Sequence, residues 1–211
     1  MPFRSPVPEY PAFFMILHSL SELILSVTAF AVFLIFFQKQ PIYGRLIWGV
    51  FLITISITSL LTVFWYLGLE VLSPVVGSLR RLEDTLGPLC MLVGTWLLVS
   101  HLIATRFTFW ATIGTGTGLF LGLAWFRLNP LVQVVQPLCI VIALLIACYG
   151  LLQRQKSALW VVIAMTILAL SAKLRLGLSP SAAHDPYHLL VAVSAFCLGK
   201  AVQTEGRLLF K

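Results

Sequence analysis

Long apolar runs broken by only a few charges leave this chain little choice of fold. Seven stretches, at 12–36, 44–68, 87–104, 107–124, 131–152, 158–176 and 185–203, are nearly free of charge, and a helix that crosses the hydrocarbon core of a bilayer needs about 20 such residues. A single arginine, Arg106 or Arg127, marks each of the two least distinct divisions. Composition agrees: 60% of residues are hydrophobic and 10% charged, where a soluble domain carries about a quarter charged. The expectation is an integral membrane protein. In lipid every backbone polar group must be satisfied within the protein, which restricts spanning structures to helices and closed barrels. Barrel strands alternate apolar and polar residues, and the run from Ala29 to Phe37 does not alternate. The sequence therefore predicts an all-α bundle of seven transmembrane helices, one domain over 1–211. The first stretch is too long for a secretory signal and lacks a small-x-small cleavage site, so it reads as a retained helix.

Basic residues set the expected orientation. Lys39, Arg45, Arg106, Arg154, Lys156, Lys200, Arg207 and Lys211 fall on one side, and Arg4, Arg80, Arg81, Arg127, Lys173 and Arg175 on the other. The excess places the C-terminus in the cytoplasm and the N-terminus outside. A net charge of +7 with no clustered basic patch points to anionic lipid headgroups as partners and away from nucleic acid. Cys90, Cys139, Cys148 and Cys197 lie inside apolar segments without a C-x-x-C pair, and read as small buried hydrophobes. Gly114, Gly116 and Gly118 imitate a phosphate loop, yet no Lys-Ser/Thr follows. Their informative spacing is Gly114, Gly118 and Gly122, one helix face of small residues that admits a neighbouring helix or a membrane protein partner.

Ionisable groups at membrane depth carry the functional signal, because they are costly there unless paired or used. His184 and His188 are four residues apart, as are His18 and Glu22, and on a helix that spacing turns both side chains of a pair to one face. Paired imidazoles suit zinc. Counting about 1.5 Å per residue, His18, Glu22 and His188 enter from the same outer side at depths where they could converge. Pro186 fits only a first helical turn without loss of a bond, so the seventh helix is expected to begin between Ala183 and Asp185 with Asp185 as its N-cap. His101 lies near the inner end of the third segment and reads as a surface or satisfied structural histidine. A haem would need two axial histidines at one depth, a condition open only to His18 with His188.

The last segment, His184-Asp185-Pro186-Tyr187-His188-Leu189-Leu190-Val191-Ala192, resembles the final helix of the alkaline ceramidase relatives in the CREST superfamily of membrane hydrolases. The resemblance implies a seven-helix fold in which the two histidines bind zinc. It also implies a third histidine after a Phe at the end of helix two, and an Asp at the start of helix three. Asp84 occupies the place of that Asp. Phe64-Trp65 stands where Phe-His belongs, so a tryptophan replaces the third ligand, and Leu61 takes the place of an upstream serine, with Ser59 and Thr62 nearby. Glu22 resembles a family acid on helix one. A catalytic zinc usually has three protein ligands and an open position. One expectation is thus a divergent zinc-dependent hydrolase of lipid amide or ester bonds, with His184 and His188 joined by His18, Glu22 or Asp84. In this reading Asp84 or Glu22 also serves as proton shuttle. The alternative is a non-catalytic membrane subunit or lipid-binding protein of the same fold. A transporter is less favoured, since the sequence has no paired broken helices.

Overall fold

The computed structural model describes residues 12–125, 129–177 and 180–209. Arg4, Arg127 and Lys211, used in the charge count, lie outside the described residues. Seven α-helices follow in order: α1 (Ala12–Val32), α2 (Ile42–Tyr66), α3 (Ser73–Val99), α4 (Arg106–Trp125), α5 (Asn129–Leu152), α6 (Lys156–Gly177) and α7 (Pro180–Leu209). A π-helical turn, Phe33–Phe37, prolongs α1, and a 3-10 turn, Glu70–Leu72, leads into α3. Among the described residues, five segments are long and apolar enough to cross a membrane: Met15–Phe37, Ile42–Tyr66, Glu70–Val99, Val134–Leu152 and Lys156–Leu174. Helices α4 and α7 are not among them; α7 carries His184, Asp185, His188, Lys200 and Glu205.

Six helices form a closed ring. Each packs on the next in the order α1, α2, α3, α5, α6, α7, and α7 returns to α1. Helix α4 lies outside the ring and packs mainly on α3. With no hydrophobic drive between helices in lipid, association rests on close packing and interhelical hydrogen bonds. Between α1 and α2, Ser26 Oγ donates to the Ser56 carbonyl at 2.8 Å and Ser56 Oγ to the Ser26 carbonyl at 3.0 Å. Helices α6 and α7 bury Ala158, Ala164, Ala192, Ala195 and Ala201, and across their seam Ser194 Oγ reaches the Ala164 carbonyl at 3.1 Å.

Three helices end in the same hydrogen-bonding pattern. After α2, Gly68 N–H donates to the Trp65 carbonyl and Leu69 N–H to that of Phe64, the Schellman arrangement that requires a left-handed residue after the cap. Gly68 supplies it with φ +100°. At the ends of α3 and α5 the same bonds recur, but the left-handed residues are His101 (φ 54°) and Arg154 (φ 60°). A side chain at that position costs about 1–2 kcal/mol relative to glycine, which must be recovered from contacts made elsewhere.

Three expectations change in detail. The third helix does not begin at 87: its first residue is Ser73, so Arg80, Arg81, Glu83 and Asp84 are helical, and Asp84 lies about 16 Å along the axis. The seventh begins at Pro180 and encloses Pro186, so Asp185 is not its N-cap. Among the described residues, the face of Gly114, Gly118 and Gly122 meets no neighbouring helix, since a Cβ built at any of the three finds no atom within 4 Å. Gly116 makes the close approach instead: its Cβ would stand 2.3 Å from Leu86 Cδ1 and 3.3 Å from Leu86 Cα. Gly116→Ala should therefore destabilise the bundle by about 1–3 kcal/mol through overpacking, while Gly118→Ala stays within about 1 kcal/mol of the parent. Thermal unfolding of both variants in detergent checks the contrast.

Candidate metal centre

Helices α1, α2, α3 and α7 bring their ionisable residues together at one end of the ring. Glu22 and His18 are buried, with 1% and 2% of their surfaces exposed. Around Glu22 Oε1 stand Arg80 Nη2 at 3.0 Å, His188 Nε2 at 3.5 Å and His184 Nε2 at 3.6 Å. Asp185 Oδ1 gathers a second set: His18 Nδ1 at 2.8 Å, Ser21 Oγ at 2.9 Å and His184 Nδ1 at 3.3 Å. The two sets meet at His184, whose ring turns Nδ1 to Asp185 and Nε2 to Glu22. Tyr66 OH lies 3.2 Å from the same Nε2.

Helical geometry explains the convergence. Glu22 follows His18 by one turn and His188 follows His184 by one turn, so each helix presents two groups to the seam between α1 and α7. Arg80 comes across from α3 and touches Thr62 Oγ1 of α2 at 3.4 Å as well as Glu22. Pro186 within α7 has no N–H for the carbonyl four residues earlier.

Both nitrogens of His184 face carboxylate oxygens, Nδ1 toward Asp185 and Nε2 toward Glu22; the tautomer with Nδ1–H donating to Asp185 leaves the Nε2 lone pair for an ion. A metal-binding imidazole commonly has this carboxylate behind it, which fixes the ring and its tautomer. Among the described residues, two groups have ligand atoms close enough to hold one ion: Glu22, His184 and His188, and His18, His184 and Asp185. Metal–ligand bonds of about 2.0–2.1 Å at tetrahedral angles place ligand atoms about 3.4 Å apart. The separations from Glu22 Oε1 to the two Nε2 atoms, 3.6 and 3.5 Å, are close to that edge.

Other expected residues are placed as follows. His18 joins His184 and Asp185, and does not enter the group formed by Glu22, His184 and His188. The His184 ring packs on both His18 and His188, with centroids 4.4 and 4.3 Å away. Asp84 belongs to neither group; with Glu83, Gln136 and Tyr187 it lines a cavity of about 30 Å³, room for a water molecule. Trp65 packs its ring on Tyr66 at 5.0 Å, and Tyr66 is the residue of that pair which reaches His184. Sequence reasoning missed Tyr66, Arg80, Glu83 and the ligand role open to Asp185. Glu83 is in electrostatic reach of Asp84, Glu22 and Arg80.

Compared with protein families, curated proteins and solved structures, the chain matches none. The chemistry of the site must be argued from its own atoms. Asp185→Ala removes the acceptor shared by His18, Ser21 and His184. It should lower stability by about 1–3 kcal/mol, read as a reduced midpoint of thermal unfolding in detergent.

Proposed function

We propose that the chain is an integral membrane hydrolase of the ceramidase-like type, dependent on zinc and acting on lipid amide or ester bonds. The observation that carries this reading is the facing of both Nε2 atoms, of His184 and His188, onto Glu22 Oε1. Two histidines and a glutamate are a ligand set that catalytic zinc uses, with a fourth position left for water or substrate. Glu22 thus takes the place of the ligand that the resemblance assigns to the position of Trp65. Zinc held there would supply a Lewis acid and lower the pKa of water. The surrounding side chains have distinct tasks. Asp185 orients His184 through Nδ1, Tyr66 OH stands ready to donate a hydrogen bond to a developing oxyanion, and Arg80 is the cation nearest the carboxylate.

Purified full-length protein tests the reading directly. About one zinc per chain is expected by elemental analysis, falling at least tenfold in Glu22→Ala and in His188→Ala. Asp185→Ala, one shell out, should weaken zinc binding roughly 10–100-fold. Hydrolysis of ceramide-type amides or lysophospholipid esters should fall together with the metal. A preparation without zinc, or zinc that persists when His184 and His188 are both alanine, would overturn it.

A second reading has one observation in its favour. Arg80 Nη2 sits 3.0 Å from Glu22 Oε1, so the carboxylate is already neutralised by a guanidinium. A non-catalytic member of the same fold would keep that ion pair as its structural link between α1 and α3. In that case His184→Ala preserves the protein's association with a copurifying partner, and Arg80→Ala destabilises the bundle without raising zinc occupancy.

A further inference from the structure

The other end of the ring holds a second cluster of ionisable groups. Glu205 lies 21 residues beyond His184 on α7, about 32 Å along the axis, close to the thickness of a hydrocarbon core. Its carboxylate is 3% exposed, and Ser157 Oγ donates to Oε2 at 2.9 Å. The other oxygen, Oε1, accepts from His101 Nδ1. Ser157 and His101 thus contact different oxygens of the acid. The serine has no histidine beside it to act as base, so the cluster is not a nucleophilic triad.

What the cluster does is fix His101 beside a cavity. The cavity measures about 350 Å³ and lies between α2, α3 and α7 and the connections that follow the Phe33–Phe37 turn and α3. Its apolar wall includes Ile47, Trp48, Leu97 and Leu98, and its polar groups are Lys39, Gln40, His101 and Glu205. His101 occupies the left-handed position that glycine fills after α2, and a strained residue kept in place by its neighbours is a pointer to function. Charge selects the ligand. Of the six acids among the described residues, Glu205 alone belongs to this end, and its two oxygens are taken by Ser157 and His101. The same end carries Lys39, Arg45, Arg106, Arg154, Lys156 and Lys200.

We propose that this cavity binds one anionic phospholipid, its phosphate at Lys39 beside the fixed His101 and an acyl chain against Trp48, Leu97 and Leu98. An apolar wall with a few placed polar groups is the ordinary form of a small-molecule site, and one lysine near an anionic headgroup contributes enough for a roughly fivefold preference. The site is independent of the metal centre at the opposite end.

Native mass spectrometry of the full chain, released from detergent with equal dioleoyl-phosphatidylglycerol and dioleoyl-phosphatidylcholine, tests the proposal. One phosphatidylglycerol per chain should be retained, roughly fivefold over phosphatidylcholine. Lys39→Glu should abolish the preference and Lys39→Arg keep it. Gly44→Leu, which projects a side chain into the cavity, should reduce retention of both lipids. Elution volume and helical circular dichroism confirm that the variants fold; Lys39 is exposed, so its replacement decides the matter if Gly44→Leu does not fold. Equal retention of the two lipids, or a preference unchanged in Lys39→Glu, overturns the proposal. So does retention of inorganic phosphate alone at millimolar concentration, which would reassign the site to a soluble anion.

Discussion

A carboxylate buried in an apolar bundle must be neutralised or hydrogen-bonded from every side it presents, and Glu22 imposes that demand on three neighbouring helices. Its oxygen draws Arg80 from α3 and the imidazoles of His184 and His188 from α7. An uncompensated charge at this depth would cost several kcal/mol. The packing of α1 against α7, the inward course of α3 from Ser73, and the facing of two histidines onto one oxygen are answers to the same electrostatic requirement. Asp185 repeats the device one turn away, where it holds His18, Ser21 and His184 together.

The two ends of the bundle solve the problem of a buried acid differently. Around Glu22, Arg80, His184 and His188 converge on Oε1, with Ser59 also hydrogen-bonded to the carboxylate, an arrangement in which a cation can replace the guanidinium. Around Glu205 the partners divide the carboxylate between them, one oxygen to Ser157 and one to His101, which saturates it. The first geometry suits a centre that exchanges partners, and the second suits a fixed support for the wall of a cavity.

Much of this was legible in the letters. Apolar runs gave seven helices nearly to the residue for α4 and α6, and the two i, i+4 pairs, His18 with Glu22 and His184 with His188, announced a polar seam. Arg80 and Arg81 were placed outside the third apolar stretch because four charges within five residues, Arg80, Arg81, Glu83 and Asp84, depress local hydropathy, although a helix can turn such residues into the bundle. Asp185 was misread since a proline after an acid imitates a helix start. Four-residue spacing identified the small-residue rows of α4 but not which row meets α3, a matter of rotation about the helix axis. Pairs such as His101 with Glu205, 104 residues apart, leave no local mark at all.

Ring closure has a consequence for biogenesis. Helix α1 is made first and α7 last, yet they are neighbours, so the seam between them cannot form until synthesis of the bundle is nearly done. For a bundle that assembles in a bilayer, α1 must wait there with His18 and Glu22 lacking their partners from α7. A nascent chain stalled before α7 therefore holds Glu22 with Arg80 of α3 but without the imidazoles of α7, the kind of incompletely sheltered acid by which quality-control machinery can tell an unfinished protein from a finished one.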